Sequence, residues 1–166
     1  MLNPSSPPLE ALVGQLLTQH KLTLAVAESC TGGLVGHRLT NVPGSSTYFL
    51  GGVVAYAYDA KEDLLGVSHN TLYDHGAVSE ETAREMALGV RRALGADIGV
   101  AVTGIAGPGG GMPGKPVGLT WVALSTRAGE RAKRFVWDGD RITNKEKSAE
   151  AALEMVREYL EGLPTK

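Results

Sequence analysis

Residues 24–61 read LAVAESCTGGLVGHRLTNVPGSSTYFLGGVVAYAYDAK, and the fold turns on how this stretch is divided. The near-continuous apolar run Leu24-Ala25-Val26-Ala27 belongs to a strand that starts at Leu22 and is covered on both faces, since a strand with one wet face alternates apolar and polar residues. The strand stops at Glu28-Ser29-Cys30-Thr31-Gly32-Gly33, where the chain turns sharply into a short helix carrying Leu34, Val35, Leu39 and Val42; Pro43-Gly44 ends that helix. The next segment admits two divisions. Thr47 to Tyr58 reads either as one long strand, or as a helical turn over Ser46 to Leu50 capped by Ser45, with the strand beginning near Gly51-Gly52. The second is preferred, because paired glycines weaken a strand interior and serine is a good helix cap. Val53 to Tyr58 is then a strand, and Asp59 caps a helix carrying Lys61, Leu64 and Leu65.

Outward from this stretch, Pro7 and Pro8 precede Leu9, Leu12, Val13, Leu16 and Leu17, whose three-and-four spacing describes an amphipathic helix. Ser79-Glu80-Glu81-Thr82 is a capped helix start, with Ala83, Met86, Ala87, Val90 and Leu94 as its buried stripe and Gly95 as its stop. Asp97 to Thr103 is a second buried strand. Val117 to Thr126 and Arg131 to Trp137 pair as a hairpin through Ala128-Gly129, and Ala149, Ala152, Leu153, Val156 and Leu160 mark a closing helix. This order predicts one domain over residues 1–166, a three-layer α/β/α sandwich around a mixed β-sheet.

The 166 residues suffice for one compact core. With 43% hydrophobic and 20% charged residues and a net charge of −2, nothing points to nucleic acid or an anionic membrane as partner. A single cysteine excludes an internal disulfide framework, and the segment MLNPSSPPLE has neither the basic region nor the apolar core of a signal peptide. No apolar run reaches the roughly 18 residues a membrane span needs, so a cytoplasmic location is expected.

Two hydroxyl clusters compete for the chemistry. At Ser29 to Gly33 a strand runs into a helix N-terminus, where free amides and the positive end of the helix dipole favour an anion. The plainer reading is that Thr31 caps the helix and Ser29 ends the strand. The second cluster combines Ser46 with Tyr56 and Lys61. A serine needs a base, and a lysine can serve if it is held neutral, but an unperturbed lysine is neutral in only roughly one part in two thousand at pH 7. A straight strand would hold Ser46 and Tyr56 about 33 Å apart, so the pairing requires a fold-back at Ser46 to Leu50. The residues alone leave both clusters open.

Gly109, Gly111 and Gly114 match GxGxxG, and Gly109 to Lys115 matches most of a phosphate loop, but Pro116 replaces the hydroxyl residue and a strand comes next where both motifs require a helix. What survives there is Thr103-Gly104, a hydroxyl and amides at a strand end. Cys30 reads as a buried thiol. His20, His37, His69 and His75 lack ligand spacing, so no metal is expected. Arg141, in the turn Asp138-Gly139-Asp140-Arg141, has the chemistry to reach a carboxylate or phosphate.

AESCTGG at 27–33, PGSS at 43–46, the Tyr56 to Lys61 segment, HGAVSEET at 75–82, VTGIAGPGGG at 102–111, KPVGLTWVA at 115–123 and GDR at 139–141 together resemble the CinA C-terminal family. The resemblance covers essentially the whole chain, in the form without the extra N-terminal domain of full-length CinA proteins. It implies hydrolysis of the carboxamide of nicotinamide mononucleotide to nicotinate mononucleotide and ammonia, in pyridine nucleotide recycling. It further implies a serine-lysine mechanism with no cofactor and no metal. Carried onto this chain, it assigns Ser46 as nucleophile, Lys61 as base and Tyr56 as proton relay, with Ser29, Thr31, Gly32, Gly33, Ser45, Thr103, Gly104 and Arg141 lining the nucleotide site. The partner is a small nucleotide, with no nucleic acid and no membrane, and a homo-oligomer is expected. Two other readings stand beside it: a non-catalytic nucleotide-binding module linked to competence or DNA damage, and a serine amidase with another substrate.

Overall fold

The computed structural model describes residues 6–164, so the first five residues of the segment read as lacking a signal sequence lie outside it. Its elements, in order, are α1 (Leu9–His20), β1 (Leu24–Glu28), α2 (Leu34–Thr40), a 3-10 turn (Ser45–Thr47), β2 (Phe49–Val54), α3 (Tyr58–Leu65), α4 (His69–His75), α5 (Glu80–Leu94), β3 (Ile98–Gly104), β4 (Leu119–Thr126), β5 (Gly129–Val136) and α6 (Arg141–Glu161). The strands form one sheet in the order β2-β1-β3-β4-β5. β2, β1 and β3 run parallel, while β4 and β5 add antiparallel to β3, giving the expected mixed sheet.

The alternation of β1 shows why three layers form. Leu24 and Val26 point into one core with Val13, Leu17, Leu39 and Leu153, from α1, α2 and α6. Ala25 and Ala27 point into the other with Leu65, Leu72, Met86 and Val90, from α3, α4 and α5. All five β1 residues are buried, as the unbroken apolar run demands. Capping residues set the long helices: Ser79 accepts a hydrogen bond from the Thr82 amide, and Asp140 from the Thr143 amide.

Two local readings are corrected. Gly51 and Gly52 lie inside β2, which begins at Phe49. β2 is an edge strand packed closely on β1, and a Cβ on Gly52 would stand 3.2 Å from the Val26 carbonyl oxygen, so this glycine admits close packing inside the strand where it was expected to mark the strand's beginning. Helix α4, over His69–His75, carries only Leu72 as a buried residue, too little apolar periodicity to be seen in the sequence. No helix among the described residues is long and apolar enough to cross a membrane.

Candidate active site

The three parallel strands end side by side at Glu28, Val54 and Gly104, and the chain leaves β1 for β2 on one side before crossing to β3 on the other. In open α/β sheets ligands bind at such a reversal of strand order, outside the carboxyl ends of the parallel strands. Ser29 stands at this point, 8% exposed, its amide donating to the Val102 carbonyl at 3.0 Å.

Lys61 reaches Ser29 from α3. It is completely buried, and its Nζ lies 3.0 Å from Ser29 Oγ, 2.8 Å from the Ala55 carbonyl oxygen and 3.1 Å from the Tyr56 carbonyl oxygen. Burial strips water from the ammonium and brings its pKa down from 10.5 to about 8. The three neighbours also dictate direction. A neutral amine has two hydrogens and one lone pair; the two carbonyls accept the hydrogens, which leaves the lone pair aimed at the serine oxygen. At pH 7 roughly a tenth of the molecules hold this neutral form, against one in thousands for a solvated lysine.

Ser46 is not part of this cluster. It is exposed in the 3-10 turn that precedes β2, and the Leu24 amide donates to the Tyr48 carbonyl, so this turn sits at the entry end of β1. About 17 Å of extended chain, the length of β2, separates it from the exit end where Lys61 lies. The expected fold-back does not occur: the chain passes from the turn directly into β2, parallel to β1. Within this chain the partner of Lys61 is therefore Ser29, and Ser45 lies with Ser46 at the far end.

Tyr56 touches Lys61 through its backbone carbonyl. Its exposed side chain turns away, and its hydroxyl accepts from Arg141 at 3.1 Å, while a second Arg141 nitrogen donates to the Gly107 carbonyl at 2.7 Å. Tyr56 thus holds the amine through its backbone and tethers Arg141 through its hydroxyl, which is not bonded to Lys61 among the described residues. Thr103 is buried, its hydroxyl donating to the Ala77 carbonyl at 2.7 Å. At Gly104 a Cβ would meet Thr120 Oγ1 at 2.7 Å and Cys30 Sγ at 3.1 Å, so this glycine serves packing behind the turn. Burial pushes the Cys30 thiol up to about 12, which makes it inert as a nucleophile.

The turn itself holds a functional residue that the sequence pattern does not single out. Glu28, 3% exposed, accepts from Thr31 Oγ1 at 2.6 Å and from the amides of Gly33, Val35 and Gly36 at 2.9, 3.2 and 2.9 Å. The Leu34 amide donates to the Thr31 carbonyl. The first turn of α2 is thus satisfied by the protein's own carboxylate, and the expected anion site at that helix start is already filled. Thr31 and Gly33 act on this carboxylate, and Gly32 alone of the turn faces solvent. An acidic residue closing an apolar strand reads as a strand end; the available signal was the cluster of Thr31, Gly32 and Gly33 within five residues of it.

Among the described residues, no three His, Cys, Asp or Glu side chains gather as a metal site requires. A crevice of about 580 Å³ lined by His20, Lys21, Asp97 and Arg127 opens at the opposite end of β1 and β3, remote from Ser29.

The sequence pattern of the CinA C-terminal domain matches residues 6–160. The chain belongs to that family. A CinA-like protein of Chloroherpeton thalassium is 54% identical over 157 residues, covering 92% of this chain and 37% of the relative. A putative competence-damage inducible protein of Moorella thermoacetica is 52% identical over 145 residues, covering 87% and 35%. The chain therefore spans little more than a third of these relatives. Whole-chain likeness is found among solved structures. The competence damage-inducible protein A of Klebsiella pneumoniae superposes with a TM-score of 0.90 at 37% identity, covering 94% of this chain and 97% of that one. A competence/damage inducible protein of Agrobacterium tumefaciens gives 0.84 at 40%, covering 96% and 99%. The α/β architecture is thus that of the CinA C-terminal domain.

Proposed function

We propose that this CinA-family domain is a serine-lysine amidohydrolase that removes the carboxamide nitrogen of nicotinamide mononucleotide as ammonia. The observation that carries the reading is the buried Lys61 amine, 3.0 Å from Ser29 Oγ and with both hydrogens directed to carbonyls. Neutral Lys61 takes the Ser29 proton as Oγ attacks the amide carbon. The amides of Cys30 and Thr31, which come directly after the nucleophile, donate to no other residue's backbone among the described residues and are available to the oxyanion. Collapse of the tetrahedral adduct breaks the carbon–nitrogen bond, and the Lys61 ammonium returns its proton to the departing nitrogen. Water, deprotonated by the same amine, then releases the nicotinate nucleotide and restores Ser29. The choice of nucleotide and of its amide rests on family resemblance; the serine-lysine acyl-transfer mechanism rests on the dyad.

The test is ammonia release from nicotinamide mononucleotide, with and without chelator, beside a panel of small amides. Turnover of another amide alone makes this a serine amidase of different substrate, and binding without turnover of any amide removes the enzymatic reading. A second expectation concerns Lys61. Because the base must be neutral, kcat/KM rises about tenfold per pH unit below pH 8 and levels off above it. A profile flat between pH 6 and 9 is incompatible with this amine as the base.

A further inference from the structure

The filled start of α2 raises the question of where a phosphorylated substrate places its charge. Two cations stand in the first turns of α6, Lys145 beside Gly32 of the Ser29 turn and Arg141 beside Tyr56 and Gly107, and neither has a carboxylate partner among the described residues. Arg141 is held only by the neutral oxygens of Gly107 and Tyr56. Lys145, one turn further on and half-buried, makes neither a hydrogen bond nor an ion pair among the described residues, and its Nζ stands 4.0 Å from where a Cβ on Gly32 would lie. Its neighbour Lys147, by contrast, is paired with Asp138 at 3.0 Å. Like charges four residues apart cost a helix a few tenths of a kcal/mol. No acidic residue in the first turn offsets them. Gly32, with φ +61 and no side chain, leaves open the space between these cations and the turn.

We propose that Lys145, together with Arg141, forms the subsite for the phosphomonoester of the substrate, on the α6 side of Gly32. The proposal rests on the deamidase reading and deepens it. Lys61 approaches Ser29 from α3 on one face of the sheet, whereas Lys145 approaches the same turn from α6 on the other. A mononucleotide bound across the carboxyl edge of β1 then presents its carboxamide to the dyad and its phosphate to α6. The ammonium supplies a point charge and the guanidinium a planar pair of donors, both forming charge-assisted hydrogen bonds to phosphate oxygens. Lys145 is thereby a specificity residue: it favours the nucleotide over the nucleoside, and it takes no part in the proton transfer.

Two measurements on the full chain test this: binding of inorganic phosphate, by calorimetry or phosphorus NMR, and kcat/KM for nicotinamide mononucleotide relative to nicotinamide riboside. Lys145→Gln is expected to weaken phosphate about tenfold or more, and to lower the nucleotide-to-riboside ratio by a similar factor. Lys145→Arg, which keeps the charge, restores most of both. Unchanged phosphate binding in Lys145→Gln overturns the subsite, and so does an equal loss for nucleotide and riboside, which would make Lys145 a support of the turn. The underlying reading fails separately. Lys145-dependent phosphate binding without deamidation keeps the subsite and removes the deamidase, while deamidation indifferent to Lys145 does the reverse.

Discussion

Ser29→Ala lowers kcat for nicotinamide mononucleotide by about 10⁴-fold or more, and Lys61→Met does the same, because each removes a member of a pair that acts as one unit. Ser46→Ala keeps the chemical step, with any loss below about tenfold, since Ser46 lies at the opposite end of β2 from the dyad. Single-turnover measurements on the three variants decide the matter: an inactive Ser46→Ala beside a working Ser29→Ala would reverse the assignment. Lys61→Met also separates catalysis from folding. Holding the amine at about 8 in place of its ordinary 10.5 means that the folded chain forgoes about 3 kcal/mol below pH 8. Between about pH 8 and 10.5 the unfolded chain binds more protons than the folded one, so the stability of the native protein climbs with pH across that window. Methionine removes this dependence. It also leaves the Ala55 and Tyr56 carbonyls without a donor, which offsets the gain and keeps the net change within about 1 kcal/mol. Activity lost with the melting temperature retained, and with the alkaline rise in stability abolished, identifies Lys61 as the base. Collapse of the fold in Lys61→Met would make it a structural lysine.

The layers and the strand order follow from patterns the residues display openly. An unbroken apolar β1 requires cover on both faces, and the stripe of Ala83, Met86, Ala87 and Val90 supplies part of it. Lys61 and the Ser29 turn are equally legible as chemistry. Their pairing is not, because it depends on where β2 starts and which way it runs. Reading Gly51-Gly52 as the strand's beginning shifts β2 to Val53 to Tyr58 and allows Ser46 to fold back; the actual strand starts at Phe49 and leaves Ser46 at the other end of the sheet. Paired glycines are a weak argument for a strand boundary when the strand is an edge and its neighbour needs room, as the Gly52 contact with Val26 shows. Lys145 is invisible in the sequence for a different reason. A lysine on a helix carries no positional signal until the element facing it is known, and that element is 113 residues earlier in the chain.

Glu28→Gln is expected to cost about 2–3 kcal/mol of stability, lowering the melting temperature by roughly 5–10 °C, and to lower kcat about a hundredfold with KM little changed. The carboxylate is wholly an acceptor. Oε2 takes the Thr31 hydroxyl and the amides of Gly33 and Val35, and Oε1 takes the amide of Gly36. Glutamine is the same size but must place an NH₂ where one of those oxygens stood, facing a donor and leaving at least one buried group unpaired. Glu28→Asp, one carbon shorter, loses the reach to α2 and fails in the same way. The effect on rate follows from position. The Glu28 carbonyl accepts from the Ala55 amide, and the Ala55 carbonyl in turn holds Lys61, so the residue that anchors the turn carrying the nucleophile is bonded to the segment that aims the base. Loosening it moves Ser29 Oγ relative to the amine, and a displacement of about 1 Å at a reacting atom suffices for a hundredfold loss. A merely structural carboxylate would lower stability and leave the turnover of the folded fraction intact. The deciding measurement is therefore kcat at a temperature where Glu28→Gln is fully folded, and a wild-type value there would refute the positioning role.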